Sequence, residues 1–199
     1  MARQIDTPGM EDGVHPFVFN FADFARMGDA GLFADREGRV ELIEGKIVQM
    51  APPAGDHTDV TSEIQGGLYI GIKALPESGL RVLSQGTLKI GDHSAPEPDV
   101  FVARPRQGRK YYQAGDVELV VEVAVTTLAS DRDLKAPLYA RAGIPEFWLV
   151  VPEDRSVCVH RGPRPEGQWA SVMTVTDGAV SPLFAPGIRI PLADIFRVP

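Results

Sequence analysis

Three charged residues in this chain of 199 residues stand where packing alone does not explain them: Asp99, Glu122 and Lys135. Asp99 closes a proline-rich turn and is followed at once by the apolar run 100–103. Glu122 interrupts the stretch 117–125, which is otherwise typical of a strand buried on both faces. An ionised carboxylate in such a strand is strongly unfavourable unless it is paired or bound to a metal. A metal ion or Lys135 is therefore expected to compensate Glu122.

Lys135 belongs to a segment whose helical character is interrupted. Residues 130–134 are typical of a helix start, and Gly143 is typical of its end. If the segment is helical throughout, Asp131, Lys135 and Tyr139 share one face. Because Pro137 lies inside it, either the helix kinks or its regular part begins near residue 136. Taken singly, Lys135 also fits a solvated helix position, and Asp99 also fits a turn or cap.

The remaining elements follow from apolar periodicity and from 20 glycines and 17 prolines, which divide the chain into many short segments. A mixed sheet with a few helices is expected, and the glycines of the second helix are expected to permit close packing on that sheet. The predicted helices cover 20–28, 56–75 and the segment after 130. The predicted strands cover 39–43 and 46–50 as a hairpin, 80–84 and 86–90 as a second hairpin, then 99–103, 117–125, 146–151, 155–161, 169–175 and 188–190.

Length and composition favour a single domain over 17–199, preceded by a flexible arm over 1–16, because no repeat or low-complexity tract divides the chain. No apolar stretch is long enough to cross a bilayer, and we expect a soluble, cytoplasmic protein without membrane partners. The single cysteine, Cys158, lies in a strand-like segment and is interpreted as a small core residue.

The net charge of −7 argues against binding nucleic acid through general basicity. One local basic stretch stands out, with Arg104, Arg106, Arg109 and Lys110 within seven residues. It could contribute phosphate affinity. A solvated loop is the simpler explanation.

Six short motifs in order resemble the Uma-two family, a branch of the PD-(D/E)XK nuclease superfamily that is described as restriction-endonuclease-like. The resemblance runs from about residue 20 to residue 161. The motifs are ELIEGK at 41–46, the two prolines at 52–53 with His57, PDV at 98–100, LVVEV at 119–123, Lys135 with Tyr139, and AGIPEFW at 142–148.

The resemblance implies an α/β (α+β) fold with a restriction-endonuclease-like mixed sheet flanked by helices, to which further β-hairpins are added. It implies that Asp99 and Glu122 bind Mg²⁺ or Mn²⁺, with Glu41 and the backbone carbonyl of Val123 as further ligands. Carboxylate oxygens are the donors that these hard cations prefer. Lys135 would then orient the attacking water or stabilise the scissile phosphate.

Two positions depart from the family pattern. The superfamily lysine, expected two residues after the acidic residue, is replaced by Ala124, and Lys135 lies at the downstream location that the Uma-two branch uses. A serine common in the family is replaced by Val125, and Thr126 or Thr127 could supply the hydroxyl. Glu41 also fits an exposed hairpin position. His57 could contact a phosphate or orient water, yet it also fits a helix cap or a surface position.

The leading hypothesis is a metal-dependent endonuclease that hydrolyses phosphodiester bonds in DNA, with Asp99, Glu122 and Lys135 as catalytic residues and His57 and Tyr139 as auxiliaries. The alternative is a non-catalytic nucleic-acid-binding or assembly module that retains the nuclease fold. A hydrolase acting on another phosphate ester is the third hypothesis. A homodimer is expected only weakly, from the large apolar side chains of the C-terminal half.

Overall fold

The structure, a computed structural model, describes residues 15–52 and 55–197. Most of the predicted arm over 1–16 and Pro53 of the family motif lie outside these residues. The helices in the described parts are α1 (Phe21–Asp29), α2 (Gly55–Lys73), α3 (Leu128–Ser130), α4 (Ala136–Arg141) and α5 (Leu192–Ile195). The strands are β1 (Arg39–Ile43), β2 (Lys46–Met50), β3 (Arg81–Ser84), β4 (Leu88–Lys89), β5 (Val100–Ala103), β6 (Tyr112–Gln113), β7 (Val117–Val123), β8 (Glu146–Val151), β9 (Ser156–Pro163), β10 (Trp169–Val175), β11 (Ala179–Val180) and β12 (Ile190–Pro191).

A six-stranded mixed sheet forms the centre of the fold, with the strand order β10-β9-β8-β7-β5-β3. Strands β7 and β8 are parallel, and the other neighbours in this sheet are antiparallel. Because a parallel pair needs a crossover connection, the chain between β7 and β8 runs through α3 and α4. This crossover brings the helical residues after 128 back over the sheet.

Each face of the sheet is covered by a helix, and β7 shows why. Leu119, Val121 and Val123 pack in the cluster that contains the apolar side of α2. Val120 belongs to the opposite cluster, together with α4. Successive side chains of a strand point to opposite faces. Glu122 therefore lies on the α4 side, where the residues of the crossover can reach it.

The predicted mixed sheet flanked by helices is confirmed, as is the first hairpin, β1 with β2. The second predicted hairpin is wrong. Strand β3 pairs antiparallel with β5, whereas β4 pairs in parallel with β6. The backbone turns away after β3 at Gln85, where φ is 51°. Since β5 offers β3 a partner of equal length with four buried residues, the non-local pairing replaces the local one.

The glycines of α2 permit close packing, but not against the central sheet. A Cβ at Gly71 would lie 2.6 Å from Cγ2 of Ile188, and one at Gly67 would lie 3.1 Å from Ile190. Both isoleucines belong to the C-terminal segment 188–190, in which Ile190 begins β12. The expected contact with the sheet is therefore replaced by a contact with this segment.

The segment around Pro137 begins its regular helix at Ala136, as one of the two sequence alternatives states. Before it, Asp131–Lys135 forms a π-helical turn that follows directly on α3. A proline lacks an N–H group and is tolerated in the first turn of a helix. The wider turn changes the spacing between Asp131 and the residues that follow it.

Within the described residues, no helix combines the length and the apolarity that crossing a bilayer requires.

Candidate active site

The acidic pair is brought together by the antiparallel pairing of β5 with β7. The register sets Val100, at the start of β5, opposite Val121, near the end of β7. Asp99 precedes Val100 and so lies beside the end of β7. The backbone N–H of Val123 donates a hydrogen bond of 2.9 Å to Oδ2 of Asp99. Asp99 and Glu122 both line one cavity of about 130 Å³ at this end of the sheet.

Asp99 is held by two side chains besides this backbone contact. Nη2 of Arg39 donates to Oδ1 at 2.9 Å, and Nε2 of His57 lies 3.0 Å from Oδ2. Burial alone would raise the pKa of Asp99, but the hydrogen bond from His57 and the charge of Arg39 outweigh it. The pKa of Asp99 is therefore lowered, and the carboxylate is kept ionised.

Lys135 lies among three buried carboxylates. Its Nζ atom is 3.1 Å from Oε1 of Glu122, 3.2 Å from Glu41 and 3.8 Å from Oδ1 of Asp131. Burial opposes the charged ammonium, but the charges of Glu122, Glu41 and Asp131 raise the pKa of Lys135. The interpretation of Lys135 as a solvated helix residue is therefore wrong, because its side chain is almost fully buried.

Keeping Glu122 ionised has an electrostatic cost. Burial raises its pKa well above the ordinary value, the charge of Lys135 opposes this, and the nearby carboxylates of Asp99, Asp131 and Glu41 raise it further. The hydroxyl of Tyr139 donates a hydrogen bond of 2.6 Å to Oε1 of Glu122. Burial and the charge of Glu122 also raise the pKa of Tyr139 well above its usual value, so the hydroxyl stays a donor.

Glu41 and His57 are buried, which excludes an exposed hairpin position for Glu41 and a surface position for His57. Glu41 lies on β1 and is fully buried, so it is not an exposed hairpin residue. Its Oε1 accepts from the backbone N–H of Glu97 and from Lys135, at 3.2 Å each. Its Oε2 lies 3.2 Å from Nζ of Lys135 but accepts no hydrogen bond from the described residues. His57 lies on α2 and contacts Asp99 rather than solvent.

Two residues of the site were not among the candidates, Arg39 and Asp131. Asp131 was noted only for sharing a helical face with Lys135, and this spacing was the available signal. Oγ1 of Thr127 donates a hydrogen bond of 2.5 Å to Oδ2 of Asp131. Arg39 had no signal in the sequence, because only the packing of β1 beside the start of β5 brings it to Asp99.

The basic stretch after β5 is partly neutralised by its neighbours. Arg104 forms an ion pair with Glu118, and Nη2 of Arg109 lies 2.6 Å from Oδ1 of Asp116. Lys110 lies 4.0 Å from Asp29, so three of the four cations of this stretch are paired with acidic residues.

The donor set fits a divalent cation by its chemistry. The buried carboxylates of Glu41, Asp99, Glu122 and Asp131, when ionised, exceed the charges of Lys135 and Arg39 by two. Oε2 of Glu41 is a buried oxygen donor that lies 3.2 Å from Lys135 but accepts no hydrogen bond from the described residues. Burial also raises the pKa of Asp131. A divalent cation would compensate this excess charge.

The donor atoms are of the right chemical type for a cation, but their positions do not form a ready binding site. Among the described residues, no group of three or more His, Cys, Asp or Glu side chains is placed to hold a metal ion. The carboxylates instead contact Arg39, His57, Lys135 and Tyr139. Binding a cation would therefore require some of these contacts to be exchanged.

The mixed sheet flanked by helices, with an acidic pair at the end of two inner strands and a lysine beside it, places the chain in the class of restriction-endonuclease-like proteins. The chain belongs to the Uma2 (Uma-two) family, whose family model, described as "Putative restriction endonuclease", matches residues 21–193. The chain is also similar to the crystal structure of a putative nuclease belonging to DUF820 from Anabaena variabilis, with 24% identity and a TM-score of 0.64. The match covers 83% of this chain and 95% of that chain, and it shows the fold. No curated protein matches the chain.

Proposed function

We propose that the protein is a metal-dependent endonuclease that hydrolyses phosphodiester bonds in DNA. The observation that carries the proposal is the convergence of Asp99 and Glu122 on one cavity, with Nζ of Lys135 at 3.1 Å from Glu122. The membership of a family of restriction-endonuclease-like proteins supports a nucleic-acid substrate. DNA as the polymer, Mg²⁺ or Mn²⁺ as the cofactor and a cytoplasmic location are parts of this proposal.

The residues that would hold Mg²⁺ or Mn²⁺ are Asp99 and Glu122, with Glu41 and the backbone carbonyl of Val123 as further donors. Oε2 of Glu41 is a buried donor that accepts no hydrogen bond from the described residues, and only its ion pair with Lys135 would have to be exchanged for a cation. When bound, such a cation lowers the pKa of a water ligand and neutralises charge on the phosphate. In the overall reaction, water adds to phosphorus, one P–O ester bond breaks and the leaving oxygen takes up a proton.

The protein side chains have distinct roles in this proposal. Lys135 supplies a fixed positive charge that can face the phosphate or orient the water, because its ammonium is already desolvated within the site. Tyr139 holds the Glu122 carboxylate in one orientation. Arg39 and His57 hold Asp99 ionised. Tyr139 and His57 are positioning residues, since each contacts a proposed ligand rather than the substrate.

The experiment is a plasmid cleavage assay with Mg²⁺ or Mn²⁺. The parent is compared with Asp99→Asn and Glu122→Gln, and with Glu146→Gln as the matched control. Glu146 is a buried carboxylate too, but it accepts hydrogen bonds from Trp148 and Arg161 away from the cavity. Cleavage by the parent and the control, with none by the two site variants, is the expected result. Equal cleavage by all four proteins would come from a contaminant and would contradict the proposal.

A second candidate function is a non-catalytic nucleic-acid-binding or assembly module. It is favoured by the absence, within the described residues, of a group of three potential ligands placed for a metal ion. In this case the charge of Lys135 serves to neutralise the carboxylates and not to act on a phosphate. DNA binding by the parent without cleavage, unchanged by Mn²⁺ and by Glu122→Gln, would identify this function. Small phosphodiester substrates in the same assay test the third hypothesis, a hydrolase of another phosphate ester.

Homodimer formation stays a prediction, and the structure removes part of the argument for it. Trp148 and Phe196, two of the aromatic residues that suggested it, are buried within the chain. Light scattering of the pure protein at several concentrations would test it.

A further inference from the structure

A second cavity lies next to the candidate active site and shares one residue with it. This cavity, called the aromatic cavity here, has a volume of about 350 Å³ and is bounded by Phe21, Phe24, Phe33 and Tyr111. Its volume falls within the range of small-molecule sites in proteins. Arg39 lines both this cavity and the one that contains Asp99 and Glu122. A ligand that passes Arg39 would occupy both.

The walls of the aromatic cavity offer ring faces that the protein does not fully cover. Phe21, Phe24, Phe33 and Tyr111 are each half-buried. Phe21 and Tyr111 meet edge to face with centroids 5.0 Å apart, and Phe24 and Phe33 lie 5.4 Å apart. Helix α1, which carries two of these rings, has no fully buried residue. Rings placed in this way are suited to stack on a flat, unpaired base.

Two lysines stand beside the same rings. Nζ of Lys89 lies 5.0 Å from the centroid of Phe21, and Nζ of Lys110 lies 5.1 Å from that of Tyr111. The carboxylate of Asp92 lies 3.3 Å from Lys89 with its side chain 81% exposed, and Asp29 lies 4.0 Å from Lys110 with its side chain 74% exposed. Exposed pairs of this kind contribute little, so both cations can be shared with an incoming phosphate. Lys110 is thus the residue of the basic stretch that lies beside the aromatic cavity.

Arg39 connects the two cavities chemically. Its Nη1 donates 3.0 Å to the carbonyl of Glu97, and its Nη2 donates 2.9 Å to Asp99. Its Nε is buried and has no acceptor among the described residues. A buried donor without a partner is costly and calls for an explanation. A phosphate oxygen beside Arg39 would supply the missing acceptor.

We propose that the aromatic cavity is a subsite for one unpaired nucleobase of the substrate strand, next to the phosphate in the candidate active site. The base stacks on the face of Tyr111, whose ring is nearly perpendicular to that of Phe21, and the backbone phosphate beside it contacts Lys110 and Arg39. This inference rests on the proposed function, because it assigns a neighbouring part of the same nucleic-acid strand. A bound base would explain the aromatic rings of this cavity, and its phosphate would explain the nearby cations. Binding of the DNA backbone alone would not require the rings.

The test measures binding, without cleavage, in the Glu122→Gln background. Single-stranded oligonucleotides carry the fluorescent base 2-aminopurine at successive positions, and fluorescence reports stacking at each one. We expect quenching at one position, lost in Tyr111→Ala together with about 10-fold or more in affinity, and retained in Tyr111→Phe. The matched control is Tyr69→Ala, because Tyr69 also has a lysine over its ring, Lys73 at 5.8 Å, but lies on α2 and is 54% exposed.

Three results would overturn the inference: no quenching at any position, equal effects of Tyr111→Ala and Tyr69→Ala, or a change of oligomeric state in Tyr111→Ala without DNA. The last would show that a second copy of the chain covers the rings. The cleavage assay tests the proposed function independently of the quenching experiment. Quenching by this background with no cleavage by the parent would remove the nuclease proposal and keep the subsite, whereas cleavage without quenching would do the reverse.

Discussion

The ammonium of Lys135 lies 3.1 Å from the Glu122 carboxylate, although the two residues are 13 positions apart and belong to a helix and a strand. The pair forms because the crossover from β7 to β8 folds back over the face of the sheet on which Glu122 lies. Lys135 compensates only part of the negative charge, since Glu41 and Asp131 share the same ammonium. The site therefore keeps an excess of negative charge that opposes folding.

Glu122→Gln is expected to stabilise the protein while it abolishes cleavage. Burial raises the pKa of Glu122, so holding it ionised near neutral pH opposes folding. The glutamine keeps an acceptor for Tyr139 and carries no charge. We expect the free energy of unfolding to rise by about 0.5–2 kcal/mol, measured by urea denaturation.

Glu146→Gln provides the comparison for this first prediction. Oε1 of Glu146 accepts from Trp148 at 3.0 Å and from Arg161 at 2.8 Å, and Oε2 accepts from the backbone N–H of Leu183 at 2.6 Å. Because every donor there is complementary to a carboxylate, we expect this variant to lose stability by about 1–3 kcal/mol. A similar loss in Glu122→Gln would contradict the view that the two buried carboxylates differ in role.

Lys135→Met should be strongly destabilising. Removing one partner of a buried ion pair leaves carboxylates without compensation and typically costs about 3–5 kcal/mol. The deficit should shrink as the pH is lowered, because Glu122 and Asp131 then take up protons. Urea denaturation of parent and variant at several pH values measures this. The double variant Lys135→Met/Glu122→Gln should recover part of the loss, and strictly additive effects would argue against the coupling.

Tyr139→Phe tests the positioning of Glu122. The variant keeps the ring, which packs 5.4 Å from that of Phe147, and removes only the hydroxyl that donates to Oε1. We expect a loss of about 1–2 kcal/mol in unfolding free energy. Groups that orient a ligand of a metal typically affect activity by about 10- to 100-fold. Cleavage rates across a Mn²⁺ titration check this, and an unchanged rate at all concentrations would show that the hydroxyl is only structural.

His160 should make stability depend on pH at a place remote from the cavity. Burial lowers the pKa of His160 below its ordinary value of 6.5, although two backbone contacts oppose the shift. The unfolded chain then takes up a proton at a higher pH than the folded chain. The contribution is complete above the unfolded pKa and is lost as the pH falls from there through the folded pKa.

His160→Gln measures this contribution by difference. The variant should show a flatter decline of the urea midpoint than the parent as the pH falls below about 6.5. Since the imidazole stacks near Phe147 and Trp169, the variant will also be less stable at neutral pH. A parallel decline in both proteins would show that His160 does not contribute.

Much of the local structure could be predicted from the sequence because it depends on short-range patterns. Alternating apolar residues around the turn at residues 44–45 predict the hairpin of β1 and β2, and a four-residue apolar repeat predicts α2. Pairing choices could not be predicted in the same way. Strands β3 and β4 are neighbours in the chain, yet each pairs with a more distant strand.

The candidate site, too, has some features that the sequence predicts and others that depend on contacts between distant segments. Glu122 could be singled out by itself, because a carboxylate in an apolar strand requires compensation wherever the strand lies. Asp99 and Lys135 could also be identified as candidates, because the family motifs surround them. The partners of these residues could not be predicted. Arg39 contacts Asp99, and Glu41 contacts Lys135, across segments that lie far apart in the chain. Asp131 shares the same ammonium.

The sequence by itself therefore determined the strand that carries Glu122, the helices that cover the sheet and the charged residues in need of a partner. Only the tertiary structure decided which cation meets which carboxylate, and that an aromatic cavity opens beside Arg39. The physical reason is range. Periodicity and turn preferences act over a few residues, whereas burial and charge compensation depend on the strand register and the crossover that bring distant residues into contact.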